Sequence, residues 1–273
     1  MLRTCQQWRN DSWKAIGIRD SLLRKIDNAL AAYHGAEAHS VQQRTHLANV
    51  FAYSFKWVRD NPSSSRWEAV IDLRDEAENE MPASGFNAGQ IDELRRVGAG
   101  QPLPIKTVTL RISYTQGVAR TIPADRTQAN HIWGQAGIAV VSDPPAAAGA
   151  NINNNLVNGT TLGYQAEVQL VQVANASPAF VHVCYAPIIG GDDAAGKTER
   201  PDSHPGHLLA PLVKIGANLC LRATLAHELG HALLNDGSHF NDRYNLMAAG
   251  FQRRDTQLTP GQIVIARASP YAH

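Results

Sequence analysis

A short run of residues, His227-Glu228-Leu229-Gly230-His231, has the residue types and the spacing needed to hold a metal ion beside a proton acceptor. On an α-helix, residues four positions apart lie on the same face, so the imidazoles of His227 and His231 converge on one point. Glu228 adjoins the first histidine, where its carboxylate can reach a water molecule at the metal without being a ligand. The run therefore predicts a zinc ion held by two histidines, with Glu228 as general base.

A third ligand is expected downstream, because a catalytic zinc site usually takes three protein ligands and leaves a fourth position for water. No glutamate follows Glu228, which makes His239 the leading candidate. The preceding residues, Asn235-Asp236-Gly237-Ser238, favour a turn that returns the chain to the metal. Asp236 and Asp242 remain open as alternative third ligands.

The helix, the later histidine and the segment that follows them resemble a known family. His227–Leu234, then His239, then Asn245-Leu246-Met247-Ala248-Ala249-Gly250 stand in the order found in the metzincin zinc peptidases of the zincin superfamily. The resemblance implies a small mixed sheet, an active-site helix and a C-terminal helix. It also implies zinc ligands, a base and a methionine in a turn beneath the metal, namely His227, His231 and His239, Glu228, and Met247.

Two details of the chain depart from the family pattern. That pattern places a glycine three residues, and the third ligand six residues, after the second histidine, whereas here Leu234 and His239 lie three and eight residues after it. A two-residue insertion accounts for the difference, and an aspartate ligand would instead place the chain among the aspartate-ligand zincins. Some metzincins have a tyrosine just after the methionine that stabilises the transition state, and Tyr244 is the nearest counterpart.

These residues predict a zinc-dependent endopeptidase whose substrate is a protein or peptide. We expect the substrate to lie extended along an edge strand of the sheet, and the apolar run Phe180–Val183 is the candidate for that edge. The alternative is a catalytically idle binding protein with a structural zinc ion. Glu228 argues against that alternative, because a structural site needs no base.

The composition fits a globular chain, and the net charge argues against some classes of binding partner. Of the 273 residues, 44% are hydrophobic and the formal net charge is +1, which argues against broad attraction to nucleic acid or to an anionic membrane. No stretch is long enough for a membrane span, and the first residues contain no apolar signal region. The sequence thus predicts a soluble protein, cytoplasmic at synthesis and exported, if at all, by a signal-less route.

The three cysteines are widely separated and odd in number, and Cys184 lies in an apolar strand. They do not form the pattern of a disulfide framework.

A second motif, Gly191–Thr198, fits the phosphate-loop pattern G-x-x-x-x-G-K-[ST]. The residues after it include Pro201 and Pro205, which cannot form the helix whose N-terminus would face a phosphate. We therefore interpret the segment as a loop at the rim of the cleft. His204 and His207 are two further histidines nearby, and we interpret them as polar surface rather than as a second metal site.

A cluster of glycine and proline, Gly98 to Pro104, separates two regions with different periodicity. Residues 1–100 have helical apolar stripes, which predict three helices and a fourth from Asn87 to Val97. The segment Ser65-Arg66-Trp67-Glu68 is expected to begin the third helix as a capping box. This region resembles the helical part of signal-less bacterial toxins carried by contractile secretion systems. A docking or delivery module for a secretion apparatus, a pro-segment and a packed scaffold are the open alternatives.

Residues 103–273 are predicted to form the zinc peptidase domain, and the fold class is α+β. Alternating apolar residues predict strands at 107–112, 137–141, 166–173 and 180–186, with a helix over 125–136. The active-site helix is expected over 217–234. Thr259-Pro260-Gly261-Gln262 is expected to begin a final helix, with Thr259 as its cap and Pro260 at the first helical position.

Overall fold

The computed structural model describes residues 21–114, 122–142, 157–158, 161–162, 164–186, 189, 195–201, 208–216, 223–249 and 256–273. Within these ranges the chain is a mixed α+β protein, in which four helices precede a mostly parallel five-stranded sheet with its own helices. The predicted α+β class is confirmed at that level. The predictions made for His204 and His207, and for the first half of the phosphate-loop pattern, concern residues outside this description.

The N-terminal helices are α1 (Ser21–Gly35), α2 (Val41–Asp60), α3 (Trp67–Glu80) and α4 (Ala88–Ala99). Most apolar residues of the predicted stripes face inward, whereas Val58, Trp67 and Ile71 are half-buried. The following stripe residues are buried: Leu23, Ile26, Leu30, Tyr33, Leu47, Val50, Phe51, Val70, Ala77 and Met81. The fourth predicted helix is confirmed as α4. Its capping box joins Asn87 and Gln90 through reciprocal hydrogen bonds between side chain and backbone.

The capping box predicted for α3 is wrong. The residue before the helix is Arg66, and its side chain makes no capping hydrogen bond. A turn supplies the contacts instead, because the backbone N–H of Trp67 donates to the carbonyl of Ser64 at 3.0 Å. The chain thus enters the helix through a turn, and the side chain of Ser65 is not needed to satisfy the first backbone donors.

The large sheet contains β1 (Lys106–Tyr114), β2 (Ile138–Ser142), β5 (Val181–Ala186), β6 (Gly196–Glu199) and β7 (Leu212–Gly216), in the order β2-β1-β5-β7-β6. All neighbouring strands are parallel except β6, which runs antiparallel to β7. Two short strands, β3 (Val157–Asn158) and β4 (Thr161–Leu162), pair separately. Parallel neighbours require crossovers, and α5 (Ile122–Trp133) and α6 (Tyr164–Asn175) lie in those connections.

The strand predicted over 166–173 is wrong, since this segment lies in α6. Leu170 and Ala174 are buried four positions apart, while Val168 is 39% exposed on another side. Two apolar residues two positions apart, Val168 and Leu170, fit a strand equally well when the local sequence is considered alone. The connection to the parallel strand β5 decides the outcome, because the chain must cross the sheet and a helix satisfies its backbone groups within the segment.

The edge predicted at Phe180–Val183 is also wrong. Residues Val181–Ala186 form β5, which lies between β1 and β7 and is buried at every position. Its backbone is therefore paired on both sides. Within the described ranges, the edges of the large sheet are β2 and the antiparallel strand β6.

The C-terminal part contains α7 (Thr224–Leu234) and α8 (Pro260–Arg267). The predicted capping of α8 is confirmed, because Thr259 and Gln262 form reciprocal hydrogen bonds and Pro260 opens the helix. By its contacts the chain forms two compact units, one of residues up to Pro104 with Thr259–Ala268, the other of Ile105–Leu258 with Ser269–His273. The domain boundary predicted between residues 100 and 103 stays a prediction.

Helix α8 packs within the first unit, against α2 and α4. The backbone N–H of Gly261 donates to Asn49 Oδ1 at 2.8 Å, and Arg267 Nη2 donates to Glu93 Oε1 at 2.8 Å. A Cβ atom at Gly261 would lie 2.3 Å from the carbonyl oxygen of Thr45, so only glycine permits this approach. The final helix is thus a partner of the N-terminal helices, although the sequence placed it with the residues after 103.

Candidate metal centre

Helix α7 carries two of the three histidines and is buried along its whole length. It packs against α5, β6 and β7. The leucines spaced four apart along the helix, Leu225, Leu229 and Leu233, are all at most 2% exposed. Trp133, at the end of α5, is fully buried and donates its indole N–H to the carbonyl of Ala226 at 3.1 Å. These contacts fix the helix and therefore the positions of its polar side chains.

The structure brings together the imidazoles of His227, His231 and His239. The Nε2 atom of His227 lies 3.2 Å from Nε2 of His231 and 3.2 Å from Nε2 of His239. One nitrogen from each ring can be chosen so that all three lie within 4.8 Å of one another. Three histidines are thus close enough to bind one metal ion.

Backbone carbonyls hold two of the rings in the orientation that a metal ligand needs. His227 Nδ1 donates to the carbonyl of Leu246 at 2.7 Å, and His231 Nδ1 donates to the carbonyl of Asp236 at 2.6 Å. A carbonyl can only accept, so the proton is on Nδ1 in both rings. The lone pair of each Nε2 is therefore available to a metal ion.

Burial also favours the neutral form that a metal requires. Loss of hydration lowers the pKa of His231 to about 4, although its hydrogen bond to the carbonyl of Asp236 acts in the opposite direction. His239 nearby lowers the pKa of His231 further. At neutral pH this imidazole is therefore uncharged and need not lose a proton to become a ligand.

A compact loop returns His239 to the helix. Asn235 ends α7 in the left-handed conformation, with φ of 51°, and its carbonyl accepts a hydrogen bond from Arg200 Nη1 at 2.7 Å. The backbone N–H of Phe240 donates to the carbonyl of Met247 at 2.9 Å. His239 itself is exposed, so one side of the three-histidine cluster faces solvent.

The two alternative aspartates make local contacts instead. Asp236 Oδ1 accepts from the backbone N–H of Ser238 at 2.9 Å and from its hydroxyl at 2.5 Å. Asp242 Oδ1 accepts from the backbone N–H of Tyr244 at 3.0 Å. Among the residues that the structure describes, the cluster with metal-binding geometry contains His239 and neither aspartate.

The predicted methionine turn lies directly against α7. Asn245 Oδ1 accepts from the backbone N–H of Met247 at 2.8 Å, and Met247 is 1% exposed. A Cβ atom at Gly230 would lie 2.2 Å from the Met247 sulfur. The Met247 side chain therefore packs directly on the helix backbone at Gly230, where a larger residue than glycine would not fit. The Leu246 carbonyl of the same turn accepts a hydrogen bond from His227, which links the turn to the three-histidine cluster.

Tyr244 has a different environment from the buried residues of this turn. Its ring is 47% exposed and lies with its centroid 5.1 Å from the guanidinium carbon of Arg243. This distance is within the range of a cation–π contact at an exposed position. A role for Tyr244 in stabilising a transition state stays a prediction.

Glu228 is 6% exposed, and its carboxylate contacts strand β6. The hydroxyl of Thr198 lies 2.7 Å from Glu228 Oε2 and 2.9 Å from the Glu228 backbone carbonyl. A Cβ atom at Gly196 would lie 2.8 Å from Glu228 Oε1. The sequence did not identify Thr198 or Gly196 as site residues, because both come from a strand about thirty positions before Glu228 and match no local pattern.

Strand β6 also corrects the interpretation of the phosphate-loop pattern. The last three residues of that pattern, Gly196-Lys197-Thr198, were expected in a loop, but they pair with β7 in the sheet. The buried Lys214 on β7, 1% exposed, forms an ion pair with Glu199 at 2.5 Å. A strand at this position gives Thr198 a fixed direction toward α7, which a loop at the rim would not.

The sequence matches no protein-family model and no curated protein. Within the described ranges, no helix combines the length and the hydrophobicity needed to cross a lipid bilayer.

Proposed function

We propose that this protein is a zinc-dependent endopeptidase. The observation that carries the proposal is the convergence of three imidazole Nε2 atoms, one of them from the residue that directly precedes Glu228 on α7. Zinc takes imidazole nitrogens at about 2.0–2.1 Å in tetrahedral geometry, which sets neighbouring ligand atoms roughly 3.3 Å apart. The two Nε2–Nε2 distances of 3.2 Å agree with that spacing.

The donor set favours a catalytic zinc site over a structural one. Structural zinc sites are closed by four protein ligands, whereas catalytic sites have three and leave one position open. The three-histidine cluster has an exposed member in His239. Its open side gives access to water and substrate, and the resemblance to the metzincins supports the same assignment.

A carboxylate beside the cluster supplies the proton transfers of hydrolysis. When bound, zinc would polarise the scissile carbonyl and make water a better nucleophile at neutral pH. Glu228 would take a proton from the attacking water and deliver it to the leaving amine as the C–N bond breaks. The chain's own contribution is thus to hold this carboxylate beside the ligands.

An edge strand next to the site supports a peptide substrate. Among the described strands β6 is at the edge of the sheet, it contacts α7, and its Thr198 side chain reaches Glu228. An extended peptide can add to such an edge through main-chain hydrogen bonds. We therefore propose β6, in place of the buried β5, as the strand along which the substrate lies.

Substitution of Glu228 tests the reaction separately from metal binding. We expect Glu228→Gln to bind as much zinc as the wild type, because Glu228 is beside a ligand rather than a ligand. Its rate of casein cleavage should fall by about two to four orders of magnitude, the usual cost of losing a general base. Glu68→Gln, an exposed carboxylate on α3, is the matched control and should change neither quantity.

Two outcomes would contradict the proposal. Cleavage by Glu228→Gln at a rate near that of the wild type would show that this carboxylate is not the base. Zinc bound at full occupancy with no hydrolysis of casein or of a peptide library by the wild type would favour the idle binding protein.

A further inference from the structure

The hydroxyl of Thr198 makes a contact with Glu228 that the proposed reaction does not by itself require. Thr198 Oγ1 lies 2.7 Å from Glu228 Oε2 and 2.9 Å from the backbone carbonyl of the same residue. One hydroxyl has one proton, so it donates to one of these acceptors at a time. The carboxylate is the stronger acceptor when ionised, and the shorter distance is to its oxygen. The hydroxyl therefore donates to Oε2.

Gly196 leaves the space that this carboxylate occupies. Residues 196 and 198 are two positions apart in a strand, so they present the same face of β6 to α7. A Cβ atom at Gly196 would lie 2.7 Å from Cγ, 2.8 Å from Oε1 and 2.9 Å from Cδ of Glu228. One face of the strand thus provides both a gap for the Glu228 side chain and a hydrogen-bond donor at the end of that gap.

Contacts on both sides of Thr198 hold its strand in place against α7. Within β6, Thr198 is paired with Val213 of β7, and the next residue, Glu199, forms an ion pair with the buried Lys214. Arg200 follows and donates to the carbonyl of Asn235 at the end of α7. The strand that carries the donor is therefore tied to the helix that carries the acceptor.

We propose that Thr198 is a positioning residue for Glu228. Its hydroxyl holds Oε2 and so sets the orientation in which the carboxylate meets the attacking water. The inference rests on the proposed function, because only a general base needs this orientation. Without the hydroxyl, Oε2 would lose this donor, and the carboxylate would be held less firmly in the orientation that accepts the proton.

The first experiment removes the hydroxyl while keeping the shape of the side chain. Thr198→Val should bind zinc as the wild type does and keep KM for a quenched-fluorescence peptide within about twofold, while kcat falls by about 10- to 100-fold. Thr198→Ser retains the hydroxyl and should recover most of kcat. If Thr198→Val does not fold, Thr198→Ala replaces it in the comparison with Thr198→Ser.

A double-mutant cycle shows whether Thr198 acts through Glu228. In the Glu228→Gln background, Thr198→Val should cause no further loss of kcat, since the carboxylate that the hydroxyl orients is no longer present. An equal loss in both backgrounds would overturn the inference. Wild-type kcat in Thr198→Val, or loss of zinc from it, would overturn the inference as well.

An unfolding measurement separates this inference from the proposed function. Wild type, Thr198→Val, Glu228→Ala and the double variant are unfolded by urea with zinc bound, since a glutamine at position 228 could still accept from the hydroxyl. A contact between the two side chains predicts that the two single changes are non-additive. Non-additive unfolding with no peptidase activity in the wild type would overturn the proposed function and, with it, the catalytic role of Thr198, while the contact would stand. Additive unfolding would overturn the contact whatever the activity.

Discussion

The position of His239 depends on how the chain turns after α7. His239 lies eight positions after His231, two more than in the family pattern that the sequence resembles. Asn235 ends the helix in the left-handed conformation, and the Asp236 carbonyl accepts from His231. The carboxylate of Asp236 then closes a tight turn onto Ser238. The longer loop is thus folded on itself, and this brings His239 to the other two histidines.

We expect His239→Ala to lose zinc at chelator concentrations that the wild type tolerates, because one of three ligands is removed. Its thermal stability should also fall, since a metal that binds only the folded state adds to that stability. Asp242→Asn is the control, because its side-chain oxygen can still accept from Tyr244. Zinc content after dialysis and melting temperature are the measurements.

The opposite pattern would change the assignment of the site. Zinc loss from Asp242→Asn together with full zinc retention in His239→Ala would identify an aspartate as the third ligand. The chain would then resemble the aspartate-ligand zincins, as the sequence left open.

At the scale of elements, the contact between α7 and the methionine turn sets the geometry of the centre. Gly230 lies between His227 and His231 on the helix, and the sulfur of Met247 is against its backbone. The Leu246 carbonyl, which belongs to the same turn, accepts a hydrogen bond from His227 Nδ1. A displacement of the turn therefore moves the hydrogen-bond partner of a proposed ligand, His227.

We expect Gly230→Ala to destabilise the fold by about 1 to 3 kcal/mol, the usual cost of forcing a methyl group into a packed site. Zinc affinity should fall with it, because Met247 must move and the Leu246 carbonyl is in the same turn. Gly134→Ala is the control, since a Cβ atom there would meet nothing within 4 Å. Urea unfolding and zinc titration measure both effects. Equal stability of the two variants would contradict the packing argument.

At the scale of the whole molecule, the N-terminal helices provide the partners of α8, while the candidate metal centre lies within Ile105–Leu258. We expect a fragment beginning at Leu103 to bind zinc, because the three histidines and the carbonyls that orient them are all retained. Its melting temperature should be lower than that of the full chain, since α8 loses its contacts with α2 and α4. Zinc content and thermal unfolding of both proteins are the measurements.

The activity of this fragment distinguishes the roles proposed for the N-terminal helices. Faster peptide cleavage than by the full chain would favour a pro-segment, while an unchanged rate would favour a docking module or a scaffold. A soluble fragment that binds no zinc would contradict the expectation that the centre is contained in the later residues.

Buried histidine makes the stability of the whole protein depend on pH. His182 in β5 is 3% exposed, and burial lowers its pKa below the ordinary value of 6.5, although its hydrogen bond to the Ser177 carbonyl acts in the opposite direction. As the pH falls below about 6.5, the unfolded chain takes up this proton before the folded chain does. The free energy of unfolding therefore decreases, by at most about 1.4 kcal/mol per pH unit for one group.

We expect His182→Gln to lose less of its free energy of unfolding than the wild type between pH 7 and pH 5. Both proteins are unfolded by urea in chelator, so that loss of metal does not contribute. Parallel pH profiles for the two proteins would contradict a role for His182.

The sequence by itself determined those features that depend on neighbouring residues. Apolar spacing gave the four N-terminal helices, and capping residues marked the start of α8, because a helix begins where local side chains satisfy its first backbone donors. The spacing of His227 and His231 fixed their common face, since both lie on one helix. Composition around His239 also indicated a turn.

Only the tertiary structure decided the features that depend on distant parts of the chain. The segment in α6 is a helix because the strand after it is parallel, and β5 is central because strands from elsewhere pair on both sides of it. Gly196 and Thr198 reach Glu228 through the antiparallel pairing of β6, which no local pattern contains. Pairing across the sheet brings together residues far apart in sequence, and for that reason the partner of the proposed base was not predicted.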